Sequence, residues 1–162
     1  MFMFRVGFGY DSHRLSENRK LVLGGITIPF DKGCLGHSDG DALIHSVCDA
    51  LLGALALRDI GYHFPDTSPE FKGIDSKILL RRTSDMIREK GWEIGNIDTT
   101  ICLERPRLLN YIPEMIDTLS DIMGIYNEQL SIKATTNEQM GFVGREEGVS
   151  VYSIALVRKE IQ

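Results

Sequence analysis

Between residues 43 and 55 the apolar side chains Leu43, Ile44, Val47, Leu51, Leu52 and Leu55 recur at helical spacing. That period predicts a helix with one face committed to a core, and Ser38 or Asp39 is placed to cap its start. The same helix carries Asp41, His45 and Asp49, residues four apart that share a face. Buried carboxylates and imidazoles need partners. The stripe is therefore either a solvated outer face or one wall of a polar site.

The sequence on both sides of this helix is β-rich. Residues 4–9 and 20–30 read as strands, with Gly24-Gly25 as a hairpin signal inside the second. After the helix come a loop punctuated by glycine and proline (residues 59–73), a second helix from about Asp75 to Lys90, and Gly91 as its stop. A strand over 92–103 is interrupted by Gly95, and a third helix runs from Pro113 to Gly124. Strands at 130–135 and 149–158 flank one more glycine-bearing loop. Strands and helices interleave too irregularly for a doubly wound sheet. The expectation is an α+β, sandwich-like fold: a mixed four-stranded sheet with helices layered on one face, plus a small N-terminal hairpin. The other face of such a sheet needs cover, which points to an oligomer. A length of 162 residues suits one domain, 1–162.

The net charge of −5 argues against a general nucleic-acid binder but leaves room for a local pocket that takes one phosphorylated metabolite. The opening residues MFMFRVGFG run straight into strand-like sequence, so neither a signal peptide nor a membrane helix is expected. Cys34, Cys48 and Cys102 show no CxxC spacing, which fits reduced thiols and a cytoplasmic protein.

Asp11 and His13 stand two apart just after a strand, so an extended backbone projects both from one face. With His45 they make an Asp/His/His set, the donor pattern of a metal site with an open fourth position. Asp41 or Asp49 could orient the His45 ring. The ordinary alternative is a chance Asp-x-His beside a solvated helix. His37, Ser38 and the following helix start could bind an anion, or form a simple cap. In the loop from Asp59 to Thr67 two aspartates could bind polyol hydroxyls, or the proline could merely stiffen a surface turn. Lys133 to Glu138 leaves a strand with hydroxyls, backbone N–H groups and one carboxylate, a set able to hold a diphosphate with a second metal. Arg145 suits an anion or a partner in Glu147; Arg105 and Arg107 are a further anion contact or an exposed basic turn.

As a set, these segments resemble the 2-C-methyl-D-erythritol 2,4-cyclodiphosphate synthase family. The resemblance rests on G-Y-D-S-H (9–13), L-G-G-I-T-I-P (23–29), H-S-D-G-D-A-L-I-H (37–45), D-A-L-L-G-A (49–54), D-I-G-Y-H-F-P-D-T (59–67), F-K-G-I-D-S (71–76), N-I-D (96–98), K-A-T-T-N-E (133–138) and G-F-V-G-R-E-E-G (141–148). It implies a homotrimer with active sites between subunits, Zn²⁺ or another first-row divalent metal on Asp11, His13 and His45, and Glu138 helping to place Mg²⁺ or Mn²⁺ on the substrate diphosphate. It implies His37 and Thr136 as the residues that align and polarise the phosphates, and Ser38, Asp59, Gly61 and Asp66 as holders of the erythritol phosphate. Ile60, Phe64, Pro65 and Thr67 belong to the same segment. The cytidine pocket falls to residues 103–109, including Pro106, Arg107 and Leu108, together with Ala134, Thr135 and Thr136 across the interface. Asn137 and Phe142 complete the implied substrate contacts. Arg145 matches an arginine at one end of a central channel that can hold an isoprenoid diphosphate, with Phe8 and Tyr10 as lining residues. Tyr62, His63, Glu104, Arg105 and Arg107 depart from the commoner family residues. The competing functions are a metal-dependent phosphohydrolase and a non-catalytic trimer that binds isoprenoid diphosphates.

Overall fold

The computed structural model describes residues 1–161. Two glycines decide how the first helix meets the sheet. Strand β1 (Phe2–Glu17) turns Gly7 and Gly9 toward helix α1 (Ala42–Ala54). A Cβ at Gly7 would collide with the carbonyl oxygen of Ala50, and one at Gly9 with that of Ser46. Strand and helix backbones thus touch with no side chain between them. Around that contact the core continues with small polar groups: the Ser46 and Ser153 hydroxyls meet at 2.7 Å, and Ser153 donates to Thr99 Oγ1 at 2.9 Å. The hydroxyls satisfy one another, so they can be buried at little cost.

Along its length β1 pairs antiparallel with β7 (Gly148–Glu160), from Phe2 opposite Glu160 to Arg14 opposite Gly148. On its other side β7 pairs antiparallel with β5 (Glu93–Cys102), and β5 pairs in parallel with β6 (Leu130–Thr135). These are the four expected strands, in a mixed sheet. A fifth, β4 (Lys32–Cys34), adds to the edge of β1 at Leu15–Glu17, giving the order β4-β1-β7-β5-β6. The strand expected at 4–9 is longer than its alternation indicates, because β7 supplies hydrogen-bond partners through the polar residues Asp11–His13 as far as Arg14. Gly95 is a bulge, where the β5–β7 register shifts between Ile94 and Asn96.

The hairpin is its own two-stranded sheet, β2 (Leu21–Leu23) and β3 (Ile26–Ile28). Gly24 and Gly25 both take positive φ, as a two-residue hairpin turn demands. Helices α3 (Ser76–Glu89) and α4 (Ile112–Met123) cover the same side of the sheet as α1, and Gly124 ends α4 in the left-handed conformation. Short helices α2 (Ile60–His63) and α5 (Gly141–Gly144) sit inside the loops expected between the main elements. The opposite face of β1 and β7 is open: Val6 is 64 % exposed, Phe8 61 % and Ile154 50 %, with the Tyr10 ring tilted against that of Tyr152. No described helix is long and apolar enough to cross a membrane.

Because the α1–β1 contact is backbone on backbone, neither partner can rotate away from an added methyl. Gly9→Ala is expected to cost about 3 kcal/mol or more, above the usual overpacking penalty, read as a lowered urea midpoint at unchanged slope.

Candidate active site

His45 is fixed by the cap of its own helix. The N-cap of α1 is Asp41, not Ser38 or Asp39: its side chain accepts from Ile44 N and Gly24 N at 3.0 Å and from Gly25 N at 2.7 Å. Full burial pushes its carboxyl up from the ordinary value, partly offset by the Gly25 and Ile44 N–H groups. Asp41 therefore ties the β2–β3 hairpin to the helix start and makes no hydrogen bond with the His45 ring. Nor does Asp49, which accepts from Ile60 N at 2.7 Å and so anchors the loop after α1. The expected orienting role of Asp41 or Asp49 is corrected on this point. A shared helix face was legible in the sequence, but each residue on it has a partner in a different element.

The groups that hold the ring are Ser38, Ser76 and Asp39. The Oγ atoms of Ser76 and Ser38 lie 2.9 and 3.1 Å from His45 Nε2, and the Ser76 hydroxyl donates to Asp39. Ser76 is the first residue of α3. Sequence spacing did not single it out; the one available signal was its place in F-K-G-I-D-S.

The inner nitrogen of His45, Nδ1, faces Asp11 Oδ2 at 2.9 Å. His13 Nε2 is 2.9 Å from the same oxygen and 3.2 Å from His45 Nδ1. The outer nitrogen of His13 donates to the Leu35 carbonyl at 2.8 Å, so in the neutral ring Nε2 carries no proton and is free for a metal. Three ligand atoms thus converge from β1 and α1, and among the described residues this is the grouping suited to a metal ion. A tetrahedral ion with bonds of about 2.1 Å separates its ligand atoms by about 3.4 Å. A small outward shift of the observed atoms accommodates it, so the residues fit. Burial alone would raise the Asp11 carboxyl, but the hydrogen bonds and charge of His13 and His45 as protonated rings outweigh it and hold it well below the usual carboxylate range. At His13 burial would lower the imidazole, and the bond to Asp11 overcomes it and raises it.

His13 and His45 of the trio line a cleft together with His37, Ser38, Ile60, Gly61, Phe64 and Asp66 among others. Asp59 stands just outside and caps α2 by accepting from Tyr62 N at 2.8 Å. Pro65 and Thr67 follow in the chain without lining the cleft, and His63 turns away to the Leu57 carbonyl. A smaller cleft on the other side of His13 is lined by Ser12, Arg14, Phe142 and Glu147.

The residues expected around a nucleotide gather elsewhere. Leu103, Glu104, Pro106, Arg107 and Leu108 share one pocket with Ala134, Thr135 and Thr136 of the same chain, and no residue lines both this pocket and the metal-site cleft. Glu138, with positive φ, accepts from the Thr136 hydroxyl at 3.1 Å and is not part of the Asp11 grouping. Glu104 shapes this end of the molecule: its carboxylate accepts from Asn137 N at 3.1 Å. Arg145 is held by Glu147 in a two-pronged pair at 3.0 Å.

The model of the YgbB family matches residues 4–158. The chain is 60% identical over 156 residues to 2-C-methyl-D-erythritol 2,4-cyclodiphosphate synthase of Bacteroides thetaiotaomicron, covering 96% of this chain and 98% of that one. In structure it is similar to a solved 2C-methyl-D-erythritol-2,4-cyclodiphosphate synthase in a CDP-bound form, with TM-score 0.88 and 36% identity over 94% of this chain and 99% of that one. It is also similar to the bifunctional IspDF from Campylobacter jejuni, with TM-score 0.95 and 39% identity, covering 99% of this chain and 43% of that longer one.

Glu104→Ala is expected to speed hydrogen exchange at the Asn137 amide while changing global stability by no more than about 1 kcal/mol. Exchange mass spectrometry beside a denaturant curve checks both halves.

Proposed function

The chain belongs to the YgbB family, and from that premise we infer that it is a cyclodiphosphate synthase of isoprenoid biosynthesis. It converts 4-diphosphocytidyl-2-C-methyl-D-erythritol 2-phosphate into 2-C-methyl-D-erythritol 2,4-cyclodiphosphate and releases CMP. The observation that carries this is the Asp11/His13/His45 grouping in a cleft whose wall holds His37, Ser38, Gly61 and Asp66. These are groups able to bind phosphate and polyol oxygens side by side.

The 2-phosphate attacks the β-phosphorus of its own molecule, and the bond from that phosphorus to the CMP oxygen breaks. An attacking phosphate is already an anion, so no strong general base is needed. The difficulty is bringing two anionic groups into line. Asp11, His13 and His45 would hold Zn²⁺, and Glu138 would help hold Mg²⁺ or Mn²⁺. Bound there, such cations supply the positive charge that offsets repulsion between the phosphates. His37 and Thr136 align and polarise the phosphates. Ser38, Ile60, Gly61 and Asp66 hold the erythritol phosphate part with Phe64 on the same wall, and Asp59, Pro65 and Thr67 act from the same segment just outside the cleft. Pro106, Arg107, Leu108, Ala134 and Thr135 receive the cytidine beside Asn137, and Phe142 contributes from the small cleft next to His13.

We propose further that the working form is a homotrimer with each site built between two copies. Two features support it. The metal-site cleft and the 103–109 pocket share no residue within one chain, and the open face of β1 and β7 carries Val6, Phe8, Tyr10, Tyr152 and Ile154 side by side, a contiguous exposed apolar patch of the kind that marks an interaction surface. Phe8 and Tyr10 would line a central channel for an isoprenoid diphosphate, where Arg145 would have to exchange Glu147 for the ligand. The whole chain acts as one domain, in the cytoplasm.

Incubation with the cytidyl substrate is expected to give CMP and a cyclic diphosphate by phosphorus NMR, with turnover lost on adding a chelator. A phosphohydrolase would give an acyclic product, and an isoprenoid-binding protein no product. His45→Ala is expected to cost about 10³-fold or more in turnover; full activity and full metal content in that variant would refute the site. Sedimentation should give three times the mass of the chain, and Phe8→Asp should shift it toward the single chain.

A further inference from the structure

The metal ligand His45 has a problem that its own site creates. To bind a metal through Nδ1, the neutral ring must carry its single proton on Nε2. Yet Asp11 Oδ2 lies 2.9 Å from Nδ1, well placed to hold a proton there instead. Something at the outer end has to win that competition. Two hydroxyls stand at Nε2, Ser76 Oγ at 2.9 Å and Ser38 Oγ at 3.1 Å. A free hydroxyl could settle nothing, since it can donate or accept.

Ser76 is not free. Its hydroxyl proton goes to Asp39 Oδ1, and a carboxylate can only accept. The Ser76 oxygen therefore presents lone pairs alone to the ring, and Nε2 must be the donor. Asp39 is itself held in place, accepting from Ser76 N through Oδ2 at 2.9 Å and from Asp41 N through Oδ1 at 3.2 Å. Ser76 is fully buried, and the loop carrying Asp39 is pinned to the start of α3.

We propose that Asp39 and Ser76 are positioning residues which keep the proton of His45 on Nε2 and so hold Nδ1 bare for the metal. This rests on the reading of Asp11, His13 and His45 as the metal ligands. It also divides the work between two neighbouring serines. With Ser76 serving Nε2, the Ser38 hydroxyl can leave the ring for a phosphate oxygen in the cleft. Ser38 then belongs to substrate binding and Ser76 to the metal, although both touch the same nitrogen.

The test uses the full-length chain, stripped with a chelator and then titrated with zinc alone. Chelator competition is expected to show zinc binding weakened by about 10- to 100-fold in Ser76→Ala, the usual effect of losing a partner behind a ligand. Ser38→Ala should stay within about twofold of the native chain for zinc while raising KM. In Ser76→Ala the backbone N–H still donates to Asp39 Oδ2, so the start of α3 keeps its tie. Proton–nitrogen correlation spectra of the zinc-free native chain, at a pH where the ring is neutral, should place the proton of His45 on Nε2. In Ser76→Ala and Asp39→Asn it should move wholly or partly to Nδ1.

Unchanged zinc affinity in Ser76→Ala, or a native ring protonated on Nδ1, overturns the proposal. The spectrum of the native chain decides the matter even if a variant fails to fold. A native chain that binds no zinc at all would instead overturn the metal site, leaving the two failures distinct.

Discussion

The rest of the structure depends on the meeting of two backbones, α1 and β1, at Gly7 and Gly9. A helix laid on a sheet ordinarily stands off by the thickness of the side chains between them. Here that layer is missing, and α1 sits deep against the strand. The depth matters because the candidate metal trio is split between these elements, with Asp11 and His13 on β1 and His45 on α1. His45 Nδ1 reaches 2.9 Å from Asp11 Oδ2 because the helix is close enough for a side chain of that length. The buried serines around the contact follow from the same closeness, since only small groups fit.

Depth alone would not set the rotation of α1 about its axis. Asp41 does that by accepting from both hairpin glycines and from the first turn of its own helix. Asp49, two turns on, passes the same order to the loop at Ile60, one wall of the cleft. The polar stripe of α1 is thus neither a solvated face nor a set of residues acting on one ring. It fastens the helix to a hairpin, to Asp11 and to a loop in turn.

Much of this was legible in the chain. The helical period of Leu43 to Leu55, the Gly24-Gly25 turn and the stop at Gly124 all depend on local chemistry and are found close to where sequence placed them. Asp11, His13 and His45 were legible as donors, and two residues apart on a strand does bring the first two to one point. What escaped depends on distant partners. Strand β4 is three residues long and exists because Leu15–Glu17 offers it an edge. Asp41 looks like a site residue until the hairpin folds onto it. Ser76 lies 31 residues beyond His45, and no spacing rule connects them. Glu104 shows its use only when Asn137 folds back on it.

The separation of the metal-site cleft from the 103–109 pocket has a genetic consequence. If neighbouring copies pool these halves, a chain damaged at His45 still lends a sound nucleotide pocket to its neighbour, and a chain damaged at Arg107 still lends a sound metal trio. Two inactive alleles expressed together would then assemble some whole sites that neither can build alone. Damage in this protein would be inherited by the half-site, not by the chain.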